Sequence, residues 1–173
     1  MALLAGDALQ AEAFGVLGQG YRQDPEIGLS LVRLLTEAIG IKGMVGGQAI
    51  DIRAKDKKLD REMLLRMHAM KTGALIRLAC EGAAVALGLP FEKQKLIRNF
   101  GEEIGLAFQL ADDLLDSSPQ NLEPGSFPEL VGWSATQKML AEVTERAVQI
   151  LIQLGIEKGP LHELVRFNVE RKI

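Results

Sequence analysis

Apolar residues recur at spacings of three and four along most of this 173-residue chain. Such spacing places apolar side chains on one face of an α-helix. Ala, Leu, Gly, Glu and Lys are abundant, whereas aromatic residues make up only 5% of the sequence. Apart from Gly, these abundant residues are good helix formers, and they coincide with a helical period. Together they predict an all-α fold, and the length fits a single helical domain over residues 1–173.

Turn and capping residues divide this periodic pattern into seven helices. Asp24 before Pro25, and Asp60 before an apolar run, are typical helix starts. A kink is expected near Thr72-Gly73, and a proline-containing loop is expected from Ser117 to Pro128. The predicted helices cover about 3–17, 25–40, 42–52, 61–87, 92–116, 134–154 and 160–171.

The end of the fifth predicted helix is unusually acidic. Asp112 and Asp116 are one turn apart on the same face, Asp113 is one position round, and Gln109 lies one turn earlier. The carbonyl end of a helix is partly negative, so each carboxylate there costs ~0.3–1 kcal/mol. A divalent cation such as Mg²⁺ would offset this cost, since it prefers carboxylate oxygens. A solvated acidic helix end accounts for the same spacing.

Two earlier segments carry polar residues in apolar surroundings. Gln48 and Asp51 are three residues apart, so a helix presents both on one side. This face either serves a binding site or is a helix–helix contact with a polar edge. Lys71 interrupts an apolar segment, where its side chain either reaches out to solvent or meets an anion. His68 in the same segment is consistent with a hydrogen-bonded core histidine, and we do not assign it a catalytic role.

These segments together resemble the trans-isoprenyl diphosphate synthases, the family of farnesyl and geranylgeranyl diphosphate synthases. Residues 108–116, FQLADDLLD, resemble the second aspartate-rich motif FQxxDDxxD of that family. Residues 43–51, GMVGGQAID, and residues 68–75, HAMKTGAL, resemble GMxGGQxxD and HxxKTGxL. The order of these matches is the family's order. The resemblance implies an isoprenoid-synthase-type helical bundle and prenyl transfer in isoprenoid biosynthesis.

The resemblance also implies roles for individual residues. Asp112, Asp113 and Asp116 correspond to magnesium ligands, with Mg²⁺ as the implied cofactor. An isoprenyl diphosphate or pyrophosphate is the implied ligand. The residues that would bind it or lie beside it are Gln48, Asp51, Lys71, Thr72, Gln109, Arg171 and Lys172.

Two features of the family pattern have no match in this sequence. The first aspartate-rich motif and the segment that binds isopentenyl diphosphate are absent, so we expect an N-terminally truncated bundle. The family's lysine-containing loop is also unmatched, because no Lys or Arg lies between Asp116 and Lys138. We therefore expect this chain to be inactive in isolation. The alternative is a non-catalytic partner or binding protein derived from a synthase.

Composition narrows the remaining possibilities. The net charge of −3 provides no basic surface for nucleic acid. The single cysteine, Cys80, excludes an internal disulfide and suits a reducing cytoplasm, with its neighbours predicting a buried thiol. No apolar run reaches about 18 residues, so no membrane span is expected. We expect self-association, for example as a dimer, or association with another protein.

Overall fold

The computed structural model describes residues 1–54 and 59–170. Across these two ranges the chain is helical and contains no β-strand, which confirms the all-α prediction. The elements are α1 (Ala2–Gly20), α2 (Pro25–Ile39), α3 (Met44–Ala54), α4 (Arg61–His68), a π-helical segment (Ala69–Gly73), α5 (Ala74–Ala86), α6 (Phe91–Leu115), α7 (Phe127–Val131), α8 (Trp133–Gln153) and α9 (Pro160–Glu170).

Local capping chemistry explains several helix boundaries. The Asp60 carboxylate accepts a hydrogen bond of 2.8 Å from the Met63 N–H, as expected for an N-cap. The predicted kink near Thr72-Gly73 is the π-helical segment. The loop predicted to reach Pro128 is shorter than expected. It stops at Ser126, whose side chain caps the short helix α7.

Helix α6 lies at the centre of the packing and contributes to both apolar clusters of the core. The first cluster joins α6 to α4, α7 and α8, and Leu110 at its centre is fully buried. The second joins α6 to α8 and α9 around Phe100 and Leu151. On the surface, Arg146 of α8 donates two hydrogen bonds of 2.9 Å to Glu103 of α6. The position of α6 therefore fixes the position of its acidic end.

The π-helical segment is held between α3 and α6 by contacts that only glycine permits. A Cβ on Gly47 of α3 would lie 2.7 Å from Lys71 Cα, and one on Gly105 of α6 would lie 2.9 Å from Gly73 Cα. Both separations are shorter than van der Waals contact allows. The backbone of the π-helical segment consequently contacts α3 at Lys71 and α6 at Gly73.

Helix α1 is the most exposed element. It has no buried residue, and Leu3, Leu4 and Leu9 are 79%, 64% and 72% exposed. Within the described ranges, no helix combines the length and apolar character needed to cross a bilayer.

The substitution Gly47→Ala tests the close approach of α3 to the π-helical segment. We expect it to lower the free energy of unfolding by about 1–3 kcal/mol, because the new methyl group must displace the Lys71 backbone. Gly6→Ala in α1 is the matched control, since nothing lies within 4 Å of its Cβ position. That control should be neutral or should gain up to ~1 kcal/mol of helix propensity. Equal urea-denaturation midpoints for the two variants would contradict the close contact.

Candidate functional site

The lysine of the π-helical segment is paired with a carboxylate of α3. Lys71 Nζ lies 2.7 Å from Asp51 Oδ2, and Gln48 Nε2 donates to the same oxygen at 3.2 Å. Of the two interpretations of Lys71, contact with an anion is therefore the one found, and that anion belongs to the protein. The two side chains are 37% and 31% exposed, so the pair remains accessible to a ligand from solvent.

The Asp51–Lys71 pair also affects the ionisation of Asp51. The hydrogen bond from Lys71 lowers the pKa of the Asp51 carboxyl below its ordinary value, and the positive charge of Lys71 acts in the same direction. Partial burial opposes this shift without reversing it. Asp51 thus stays ionised and holds the ammonium group at a defined position.

A second chain of hydrogen bonds runs from the π-helical segment along α6 to α7. Thr72 Oγ1 donates to Gln109 Oε1 at 3.3 Å, and Gln109 Nε2 donates to Asp113 Oδ1 at 3.0 Å. The other oxygen of Asp113 accepts the backbone N–H of Phe127 at 2.8 Å. Thr72 and Gln109, which the sequence places 37 residues apart, are therefore in direct contact.

The three aspartates of α6 differ in accessibility. Asp116 is exposed at the C-cap, Asp112 is half-buried one turn earlier, and Asp113 is buried with 7% exposure. In the part of the chain that is described, no group of three or more Asp, Glu, His or Cys side chains is placed to hold a metal ion. The structure thus keeps two aspartates toward solvent and turns the third into the protein.

His68 is a core residue but not a hydrogen-bonded one. Its ring is buried and stacks on Phe127 with a centroid separation of 5.4 Å, and Nε2 lies 3.9 Å from Asp113 Oδ2. Neither ring nitrogen has a hydrogen-bond partner within the described residues. Burial lowers the pKa of His68, although the Asp113 charge acts in the opposite direction.

The remaining predicted site residues are distributed differently. Arg171 and Lys172 lie outside the described residues, so their predicted contact with a diphosphate stays a prediction. Cys80 is partly buried, and burial raises the pKa of its thiol, which disfavours the nucleophilic thiolate. The thiol is therefore less buried than its sequence neighbours predicted.

The role of Phe127 was missed by the sequence interpretation, because its contribution is a backbone N–H. The burial of Asp113 had a visible signal. Asp113 is three residues after Leu110 and therefore shares the core face of α6 with it.

Comparison with known proteins identifies the family. Residues 1–125 match the family model for polyprenyl synthetase. The chain belongs to the polyprenyl synthetase family. The matched region includes both hydrogen-bonded groups around the π-helical segment and stops just before α7, so it contains every described site residue except Phe127.

Individual members of the polyprenyl synthetase family agree with this assignment. The farnesyl diphosphate synthase of Escherichia coli K12 is 34% identical over 190 aligned positions, which cover 98% of this chain and 63% of that protein. The apo structure of an FPP/GFPP synthase from Zymomonas mobilis is 34% identical with a TM-score of 0.89, covering 97% of this chain and 60% of that one.

A second solved structure includes ligands. It is the geranyltransferase of Helicobacter pylori complexed with magnesium and isoprenyl diphosphate, which is 28% identical with a TM-score of 0.76 and covers 97% of this chain and 57% of that one. This chain spans about three-fifths of the length of the curated relatives that it matches first.

The pH dependence of stability tests the environment of His68. Since burial lowers the pKa of His68 in the folded state, the unfolded state binds the proton more readily. Its contribution to stability is therefore complete above the unfolded pKa of about 6.5 and is lost as pH falls through the lower, folded pKa.

We accordingly expect the wild-type chain to lose more stability than His68→Phe between about pH 7.5 and pH 5.5. The difference in slope cannot exceed about 1.4 kcal/mol per pH unit for one proton. Phe retains a ring against Phe127 but cannot bind a proton. Parallel profiles of unfolding free energy against pH would mean that His68 titrates alike in both states.

Proposed function

We propose that this chain is the diphosphate-binding part of a short-chain isoprenyl diphosphate synthase, and that it takes part in magnesium-dependent prenyl transfer. The observation that carries the proposal is the hydrogen bond between Thr72 and Gln109. It joins the segment that bears Lys71 to the helix that bears Asp112 and Asp116. A cationic group and two carboxylates consequently belong to one connected site.

The electrostatics of this site suit a diphosphate. Lys71 carries a positive charge on a backbone fixed on both sides by α3 and α6. Asp51 orients the ammonium group, and the pair is exposed enough for phosphate oxygens to approach. In prenyl transfer the allylic carbon–oxygen bond breaks and negative charge develops on the diphosphate. A preorganised ammonium group stabilises that charge as it develops.

The donor set at the end of α6 fits magnesium when a diphosphate completes its coordination. Mg²⁺ is commonly held by one or two carboxylates, together with waters and substrate phosphates. Asp112 and Asp116, one turn apart and both more accessible than Asp113, are the residues that would hold it. The ion would supply neutralisation of the charge on the leaving diphosphate. The Helicobacter pylori relative, which is complexed with magnesium and isoprenyl diphosphate, supports magnesium as the ion.

We further propose that the 173 residues alone do not complete the reaction. They contain a single aspartate-rich segment, and residues 117–137 include no Lys or Arg. A second substrate would need its own diphosphate-binding groups and an orientation that brings its double bond to the allylic carbon. The alternative function, a non-catalytic partner derived from a synthase, is favoured by the same observations. The exposed apolar residues of α1 support association with a second chain.

Calorimetric titration of the protein with pyrophosphate in the presence of Mg²⁺ tests the binding site. We expect Asp112→Ala/Asp116→Ala to weaken Mg²⁺-dependent pyrophosphate binding by at least ~10-fold, because two carboxylate ligands are removed. Glu92→Ala/Glu157→Ala is the matched control, which removes two exposed carboxylates elsewhere and should leave the heats unchanged. Equal heats for all three proteins would exclude the site.

Radiolabelled isopentenyl diphosphate incorporation tests whether the chain completes the reaction. With dimethylallyl or geranyl diphosphate and excess Mg²⁺, we expect no product above the background of Asp112→Ala. Removing one electrostatic stabiliser commonly costs ~10²–10³ in rate, and several groups are missing here. The oligomeric state should be measured by sedimentation at the assay concentration. A turnover of about one per second that is abolished by Asp112→Ala would contradict this expectation. It would show that an assembly of this chain forms a complete site.

A further inference from the structure

We propose that Asp113 is a positioning residue that links the diphosphate-binding segment to helix α7, and that it does not ligate magnesium. This inference rests on the proposed function and refines it. The sequence predicts one role for all three aspartates of α6. The structure separates the middle aspartate from the other two.

The first observation is that both carboxylate oxygens of Asp113 accept hydrogen bonds within the protein. Oδ1 accepts from Gln109 Nε2 at 3.0 Å, and Oδ2 accepts from the Phe127 N–H at 2.8 Å. The residue is 7% exposed, and the second donor is a buried backbone group. Each oxygen keeps a second lone pair, but the carboxylate is turned into the protein. Rotating it toward a metal ion at the solvent-exposed end of α6 would break its bond to the Phe127 N–H and leave that buried group unpaired, which proteins rarely tolerate.

The second observation is the fixed orientation of Gln109. Asp113 accepts its hydrogen bond from the NH₂ group of Gln109, so that group faces the carboxylate. The carbonyl oxygen of Gln109 is therefore presented to Thr72, whose hydroxyl donates to it at 3.3 Å. Asp113 thereby fixes the orientation of the Gln109 amide, and through it the hydrogen bond of Thr72, the residue that follows Lys71.

The third observation is the packing around Asp113. The His68 ring stacks on Phe127 with a centroid separation of 5.4 Å, and its Nε2 lies 3.9 Å from Asp113 Oδ2. His68 immediately precedes the π-helical segment, and Phe127 begins α7. One buried carboxylate thus connects three elements: the end of α4, the acidic end of α6 and the start of α7.

The substitutions Asp113→Asn and Asp112→Asn form a matched pair, since each removes one charge and keeps the side-chain size at adjacent positions. Two constants should be measured by calorimetry: the Mg²⁺ concentration that half-saturates pyrophosphate binding, and the pyrophosphate Kd at saturating Mg²⁺. We expect Asp113→Asn to raise the pyrophosphate Kd several-fold while leaving the Mg²⁺ half-saturation unchanged. Asp112→Asn should raise the Mg²⁺ half-saturation. An equal increase in Mg²⁺ half-saturation for both variants would overturn the proposal, as would an unchanged Kd for Asp113→Asn.

If the wild-type chain shows no Mg²⁺-dependent heat, the proposed function is refuted but the positioning role of Asp113 is not. A measurement without metal tests that role separately. The Gln109 side-chain NH₂ signal in a ¹⁵N-edited NMR spectrum reports its hydrogen bond to Asp113. We expect Asp113→Asn to shift this signal and speed its hydrogen exchange, and Asp112→Asn to leave it in place. A Gln109 signal that is unaffected by Asp113→Asn would overturn the proposal.

Discussion

The close packing of the π-helical segment between two glycine-containing helices is the constraint on which the site depends. Gly47 of α3 and Gly105 of α6 allow backbone to approach backbone where a methyl group would collide. π-Helical turns inside α-helices are uncommon and frequently occur at functional sites. Here the turn carries Lys71 and Thr72, and the contacts on both sides fix their direction. Positioning by backbone contact costs little rearrangement when a ligand binds, because the groups are already held in place.

Hydrogen bonding then extends this positioning in two directions. Toward α3, Asp51 holds the Lys71 ammonium group at 2.7 Å, so the cation is oriented although it is partly exposed. Toward α6 and α7, Thr72, Gln109 and Asp113 form a continuous chain that ends on the Phe127 backbone. Asp113 is buried, whereas Thr72 and Gln109 are half-buried. A polar chain that reaches into the protein stabilises the fold only when its buried members are paired, and Asp113 is paired through both oxygens. His68, buried without a hydrogen bond, is the exception in the same region.

Much of this arrangement is predictable from the sequence, because helical periodicity and capping residues act locally. The period of three to four gave the helices, and Asp60 marked the start of α4 through a short-range hydrogen bond. The contact of Gln109 with Thr72 depends on tertiary packing, and only family resemblance brought those residues together in advance. The different burial of Asp113 and Asp112 was predictable, because Asp113 is three residues after Leu110 and so shares the core face of α6 with it. The hydrogen-bond partner of Asp113 at Phe127 was not predictable, since every residue except proline has a backbone N–H.

The most direct measurement of this arrangement is a crystal structure of the chain grown with Mg²⁺ and pyrophosphate. If the packed segment forms one wall of a diphosphate site, a phosphate oxygen will lie within hydrogen-bond distance of Lys71 Nζ, and the metal will contact Asp112 or Asp116. Asp113 will still accept the Phe127 N–H. Pyrophosphate bound away from Lys71, or a metal ion ligated by Asp113, would contradict this arrangement.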